Sequence, residues 1–171
     1  MPTAKQVLAT DPRALERLEL LHDAATRIGG SLDITRNAEQ LLDVLIPAFA
    51  DLGAVDLTES VLLGEEPVSF PPGTPMQRIA VAAAGGHWPR ESHAVGATFR
   101  IGREEAEHVR KGTPGVLPDL HLARAALKDD VERAALMLPP DDTSLMVLPL
   151  MVRGGVLGAV GLWRTGGAGP F

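Results

Sequence analysis

The run SLMVLPLMV at 144–152, the triplet RGG at 153–155 and the run VLGAVGLWR at 156–164 decide the architecture. Two strongly apolar stretches of strand length, split by a glycine-bearing triplet, read as a β-hairpin with glycines where positive φ is needed. Neither stretch alternates cleanly, so both strands are expected to be buried.

Working outward from the hairpin, Pro139-Pro140 stops a helix expected over Leu122 to Met137. The stripe of that helix runs Leu122, Ala126, Val131 or Ala134, and Leu138. Val116 to Leu120 is short, apolar and bounded by prolines, as a brief strand is, and Arg103 to Lys111 is a charged helix stopped by Gly112. Ala94 to Ile101 reads as a short extended piece after a wide turn from Trp88-Pro89 to Ser92. Met76 to Ala84 is a strand with Ile79, Val81 and Ala83 on one face and Arg78 and Ala80 on the other, ended by Gly85-Gly86.

Val55 to Leu63 is a further strand, closed by Gly64 and followed by an exposed proline-rich loop from Pro67 to Pro75. Two helices precede it. The first opens at Asp11-Pro12, places Leu15, Leu18, Leu21, Ala25 and Ile28 on one face, and stops at Gly29-Gly30. The second opens near Asp33 and carries Ala38, Leu41, Leu42, Leu45, Ile46 and Phe49 before Gly53, with Pro47 kinking or restarting it. Helices first, then consecutive strands, a helical crossover and a closing hairpin make an α+β antiparallel sheet layered with helices. A doubly wound parallel fold would need regular alternation, which is absent.

The composition narrows the function classes. The 171 residues are 45% hydrophobic and 22% charged, the balance of one domain with an apolar core. The net charge of −6 supplies no field for nucleic acid or anionic lipid. Without cysteine there is no disulfide, thiolate metal site or thiol nucleophile. The 4% of aromatic residues offers no stacking platform for bases. Met1 to Thr10 has no secretory signal pattern and no window has membrane-span length, so a cytoplasmic, non-membrane protein is expected.

The hairpin Leu148 to Leu162, the helix pair from Leu15 to Leu52 running into Val55-Asp56, and GTPGVLPDL at 112–120 before a helix together resemble the GAF domain family. The resemblance covers nearly the whole chain. More narrowly, the chain is similar to the GAF modules of bacterial stage II sporulation E-type (PPM) serine phosphatases. The resemblance implies a GAF-like (profilin-like) fold, a six-stranded antiparallel sheet flanked by helices, often dimeric through its helical face. It also implies a small-molecule pocket between the sheet and the crossover segment, drawing here on Phe99, Leu117, Asp119, His121 and Met146. It departs from the family in lacking the Asn-Lys-Phe-Asp-Glu set of cyclic-nucleotide binders and the cysteine that attaches a bilin. The ligand and any cofactor are left unknown.

This gives 1–10 as a flexible N-terminal segment, 11–165 as one domain, and 166–171 as a linker stub to an output domain. Leu15, Leu18, Leu21 and Ile28 serve either the core or a homodimer face. The expected role is regulatory and non-catalytic, binding a small ligand or partner and modulating a phosphatase-type output domain. The alternative is a ligandless dimerisation module. An enzyme would need turnover that dies on replacing Asp119 or His121.

Other chemistry-bearing residues fit no motif. A metal site could be drawn from His87, Glu91 and His93, but their spacing matches no ligand motif, and the two histidines read instead as solvated loop residues beside Trp88. His121 either contacts a ligand or haem, as the resemblance would place it, or supports the start of its helix. Asp129-Asp130 and Asp141-Asp142 lack the pattern of a calcium loop. None of Ser31, Ser60, Ser69, Ser92 and Ser144 lies in a nucleophile elbow. Gly29-Gly30 and Gly154-Gly155 are stops and turns, not phosphate cradles.

Overall fold

A computed structural model describes residues 22, 32–67, 69–89, 92–132, 134, 138–139, 142–153, 155–166 and 169–171. The first expected helix, with Leu15, Leu18, Leu21 and Ile28, lies outside the described residues. The elements in chain order are α1 (Ile34–Leu45), β1 (Leu52–Thr58), α2 (Glu59–Leu62), β2 (Pro75–Ala83) and β3 (Thr98–Arg100). They continue with α3 (Arg103–Arg110), β4 (Gly115–Leu117), α4 (Leu120–Ala126), β5 (Asp142–Val152) and β6 (Gly155–Thr165). The strands form one six-stranded sheet in the order β3-β2-β1-β6-β5-β4, every pairing antiparallel. This is the expected α+β, GAF-like architecture.

The sheet is apolar on both faces, which sets the three layers. All seven residues of β1 are buried. Val55 and Leu57 face Ala38 and Leu42 of α1, with Val160 and Leu162 of β6 beside them. On the opposite face Leu52, Ala54, Leu145 and Trp163 pack against Leu120 of α4 and against Leu138. Further along, Met76, Val156 and Ala159 meet Ala106 and Val109 of α3. No helix among the described residues is long and apolar enough to cross a membrane.

Local chemistry explains the boundaries. Asp33 caps α1 by accepting from the N–H groups of Thr35 at 2.9 Å and Arg36 at 3.2 Å. Pro47 ends this helix, whereas a kink or restart was expected: Ile46 is extended, as a residue before proline prefers. β1 runs from Leu52 to Thr58 and not from Val55 to Leu63, because the Thr58 hydroxyl accepts from the N–H of Val61 and starts the short α2. A continuous apolar run is compatible with either structure, and here the cap decides.

The crossover also differs from expectation. Of the extended piece 94–101 only Thr98–Arg100 is strand, and Leu120 belongs to α4 and not to β4. The single helix expected over 122–137 turns at Leu127 to Asp129, where the Asp130 N–H donates back to the Leu127 carbonyl. Val131 is exposed, and Ala134 packs against the core in its place. In the loop expected to be exposed, Phe70 is buried beneath α3.

The hairpin closes with Val152 opposite Gly155. Arg153 has a positive φ, at 47°, and Gly155 already lies in β6, while Gly154 lies outside the described residues. Residues 169–171, expected as a linker stub, fold back on the domain. Arg164 Nη1 donates to the carbonyls of Gly169 and Pro170 at 3.1 and 3.0 Å, and the Phe171 ring sits 5.6 Å from that of Phe49.

The glycines inside the strands allow close approach. A Cβ at Gly158 would collide with the Asp56 carbonyl oxygen and lie 2.8 Å from Leu57 Cα, both backbone atoms of the central strand that cannot yield. Gly158→Ala is therefore expected to lower unfolding stability by about 3 kcal/mol or more, as overpacking against backbone does. Gly85→Ala, with nothing within 4 Å, should stay within about 0.5 kcal/mol of wild type in the same urea titration. Equal effects would refute the packing account.

Candidate functional site

Asp56, midway along β1, and Arg78, opposite it on β2, are a buried ionic pair in an otherwise apolar neighbourhood. Arg78 is only 1% exposed. Its Nε donates to Asp56 Oδ1 at 2.8 Å and its Nη2 to Oδ2 at 3.0 Å, the two-pronged geometry in which guanidinium and carboxylate match best. The register makes this contact possible. Val55 pairs with Ala80 and Asp56 with Arg78, leaving Ile79 as a bulge. The bulge also corrects the expected facing of β2: Ile79 and Ala80 both join the α1 side, while Val81 and Ala83 pack on the other.

The remaining guanidinium nitrogen, Nη1, donates to the His93 carbonyl at 3.0 Å. The same carbonyl accepts from the Trp88 indole N–H at 3.1 Å, and the Arg78 guanidinium lies 5.7 Å from the Trp88 ring centre. Arg78 also holds the loop through its own backbone: its N–H donates to Ala97 and its carbonyl accepts from Gly96. One buried residue thus fastens the loop at His93 through its side chain and at Gly96 and Ala97 through its backbone. Beyond it the His93 ring stands 5.9 Å from Phe99, and His93 Nδ1 is buried with no hydrogen-bond partner among the described residues.

Phe99 forms one wall of a cavity of roughly 510 Å³. Pro75, Thr98, Arg100 and Ile101 supply the rest of the β2–β3 side, Glu59 comes from α2, Gly102 and Glu105 from the start of α3, and Asp130 and Glu132 from the segment after α4. Arg100 Nη1 is held by the Gly73 carbonyl at 2.8 Å. The cavity's volume falls within the range spanned by small-molecule pockets.

Of the five residues expected around a pocket, Phe99 lines this cavity. Leu117 lies on β4 at the far edge of the sheet, opposite Leu145. Asp119 caps α4, accepting from the His121 N–H at 2.9 Å, and both side chains are exposed. Met146 packs on the α1 face. The five are not brought together. Among the other candidates, His87 Nδ1 contacts the Gly85 carbonyl at 3.0 Å, and Glu91 lies outside the described residues. No group of three or more acidic or histidine residues among the described ones could hold a metal ion. Asp130 contributes to the cavity rim.

The Asp56–Arg78 pair was not singled out from the sequence. The available signal was a pair of opposite charges within two apolar strand patterns, since a charge at a buried position demands a partner.

Burial lowers the pKa of His93 from its ordinary value of 6.5, with the Arg78 cation acting in the same direction and the Asp56 and Glu132 carboxylates opposing. The folded protein therefore favours neutral His93. Its contribution to stability is fully present above the unfolded-state value and is lost as pH falls through the lower folded value. A His93→Gln variant should show a flatter stability profile just below pH 6.5 than wild type in urea unfolding; parallel profiles would exclude His93 as the cause. Removing one partner of the ion pair, as in Arg78→Met, should cost about 3–5 kcal/mol. The double variant Asp56→Leu with Arg78→Met should be the more stable of the two, and strict additivity of the single losses would refute the coupling.

No protein-family model matches the chain, and no curated protein matches it by sequence. Solved structures match it in fold. The A. aeolicus nlh2 GAF domain in an inactive state is 15% identical with a TM-score of 0.57, the match covering 89% of this chain and 81% of that one. The chromophore-binding domain of a Stigmatella aurantiaca bacteriophytochrome is 12% identical with a TM-score of 0.63, covering 95% of this chain and 55% of that one. The free methionine-R-sulfoxide reductase from Neisseria meningitidis, in complex with its substrate, is 18% identical with a TM-score of 0.55, covering 91% and 77%. At these identities the likeness concerns fold alone: the chain has a GAF-like α+β fold, found in sensory and regulatory proteins and also in an enzyme.

Proposed function

We propose that this chain is a regulatory GAF-like domain that binds a small molecule in the cavity beside Phe99 and modulates an output domain attached to it. The observation that carries the reading is the cavity itself. It is walled by Phe99 and Ile101 and rimmed by Glu59, Thr98, Arg100, Glu105, Asp130 and Glu132, with no leucine or methionine among its described lining residues. Its β3 wall adjoins the loop that the buried Arg78 fastens, so a ligand that prefers one position of the loop would shift the domain between packings.

The reading extends to a cytoplasmic homodimer formed through Leu15, Leu18, Leu21 and Ile28, with a serine phosphatase as the output domain, as the sequence resemblance suggests. It routes the ligand through Phe99 and assigns the protein no catalysis, since the sequence carries no catalytic motif.

A fragment screen by ligand-observed NMR tests the proposal. Compounds that bind wild type should lose roughly tenfold or more in affinity to Thr98→Trp, a bulky side chain on the exposed β3 edge of the cavity. Undiminished binding in the variant, or no binder at all, would overturn the cavity reading and leave a ligandless dimerisation module.

A further inference from the structure

We propose that the loop of residues 92–97 is a pH-sensitive gate beside β3, seated while the His93 imidazole is neutral and released when the ring takes up a proton. The gate is a property of the loop itself and stands whether or not the neighbouring cavity holds a ligand.

The loop is fastened by its backbone and burdened by its side chains. The His93 carbonyl accepts from Arg78 Nη1 at 3.0 Å and from the Trp88 indole N–H at 3.1 Å. The Gly96 N–H donates to the Arg78 carbonyl at 2.8 Å, and the Arg78 N–H to the Ala97 carbonyl at 2.9 Å. These four bonds do not depend on the charge of the imidazole. Against them stand two adjacent polar atoms, Ser92 Oγ and His93 Nδ1, both buried with no hydrogen-bond partner among the described residues. Ser92 as a whole is buried, and Val95 at the tip is exposed and adds little apolar packing. A segment with few buried apolar contacts and unpaired buried polar atoms lies at the low-stability end of a fold.

Protonation then tips the balance. The groups that act on the ring are the Arg78 cation from β2, the Asp56 carboxylate from β1 and the Glu132 carboxylate from the segment after α4. Phe99 of β3, 5.9 Å away, brings no charge. Asp56 is already balanced by Arg78, and Glu132 is exposed, so its attraction is screened. A proton on the seated ring therefore puts a second cation near Arg78 and turns Nδ1 into a charged donor without an acceptor. Released, the imidazolium is hydrated. Burial and Arg78 lower the pKa of the seated ring, so the seated form keeps its full advantage above the ordinary value of 6.5 and loses it as pH falls through the lower seated value. Release withdraws the His93 ring from Phe99 and its carbonyl from Trp88.

Amide exchange of the whole chain, followed by NMR from about pH 7.5 to about pH 5 and corrected for intrinsic rates, tests the gate. The Gly96 N–H should exchange at least about tenfold faster than the amides of β1, because the loop opens by itself. Its protection should fall roughly tenfold across the range, in step with the His93 ring resonances. His93→Gln should hold that protection within about twofold, as should His93→Phe, which keeps a ring against Phe99 without a proton site. Gly96 exchange at the β1 rate, protection that ignores pH, a change out of step with His93, or an equal loss in either folded variant would overturn the gate. The wild-type measurements decide alone if neither variant folds.

Discussion

A guanidinium taken out of water costs several kcal/mol unless its donors are met and its charge is balanced, and Arg78 meets both conditions at once. Asp56 supplies the charge and two acceptors from the neighbouring strand, and the His93 carbonyl supplies the third acceptor from the loop above. The pair therefore ties together features that would otherwise be independent. It marks the β1–β2 register, where the bulge at Ile79 lies, and holds residues 92–97 over the sheet. The same carbonyl positions Trp88, whose ring meets Trp163 of β6 edge-on at 6.0 Å. Through His93 and Phe99 the arrangement extends to the cavity wall.

The two faces of the sheet serve different ends. On one, α1 lies close to β1 because Gly53 has no side chain; a Cβ there would approach Leu42 Cδ2 to 2.8 Å. That face is filled by aliphatic residues, with Phe49 and Phe171 packed against them. The other is covered in pieces by α3, α4 and the loop held by Arg78, and the cavity opens along its β3 margin. Short elements joined by turns do not close over a sheet as one long helix does. The break after α4, at Leu127 to Asp129, also delivers Asp130 and Glu132 to the rim.

Charge gives the cavity its character. The protein is acidic as a whole, the buried Arg78 is paired internally, and the rim includes carboxylates from three segments beside a phenyl ring.

How much of this was legible before folding depends on how local the cause is. The closing hairpin, the cap at Asp33, the helix from Arg103 and the layered α+β order follow from periodicity and turn chemistry within a few residues, and the sequence alone determined them. The strand limits near Thr58, the left-handed Arg153 and the break after α4 were harder, because neighbouring residues favoured two conformations and small hydrogen-bonding differences chose between them. Of the five residues expected around a ligand, Phe99 lines the cavity at one edge of the sheet, whereas Leu117 and Met146 lie on the neighbouring strands β4 and β5 at the other edge, with Asp119 and His121 at the start of α4. The Asp56–Arg78 pair and the acidic rim join residues distant in the chain, and only the antiparallel pairing and the bulge at Ile79 decide that they meet. Tertiary structure alone could settle this, because a buried charge chooses its partner by proximity in space.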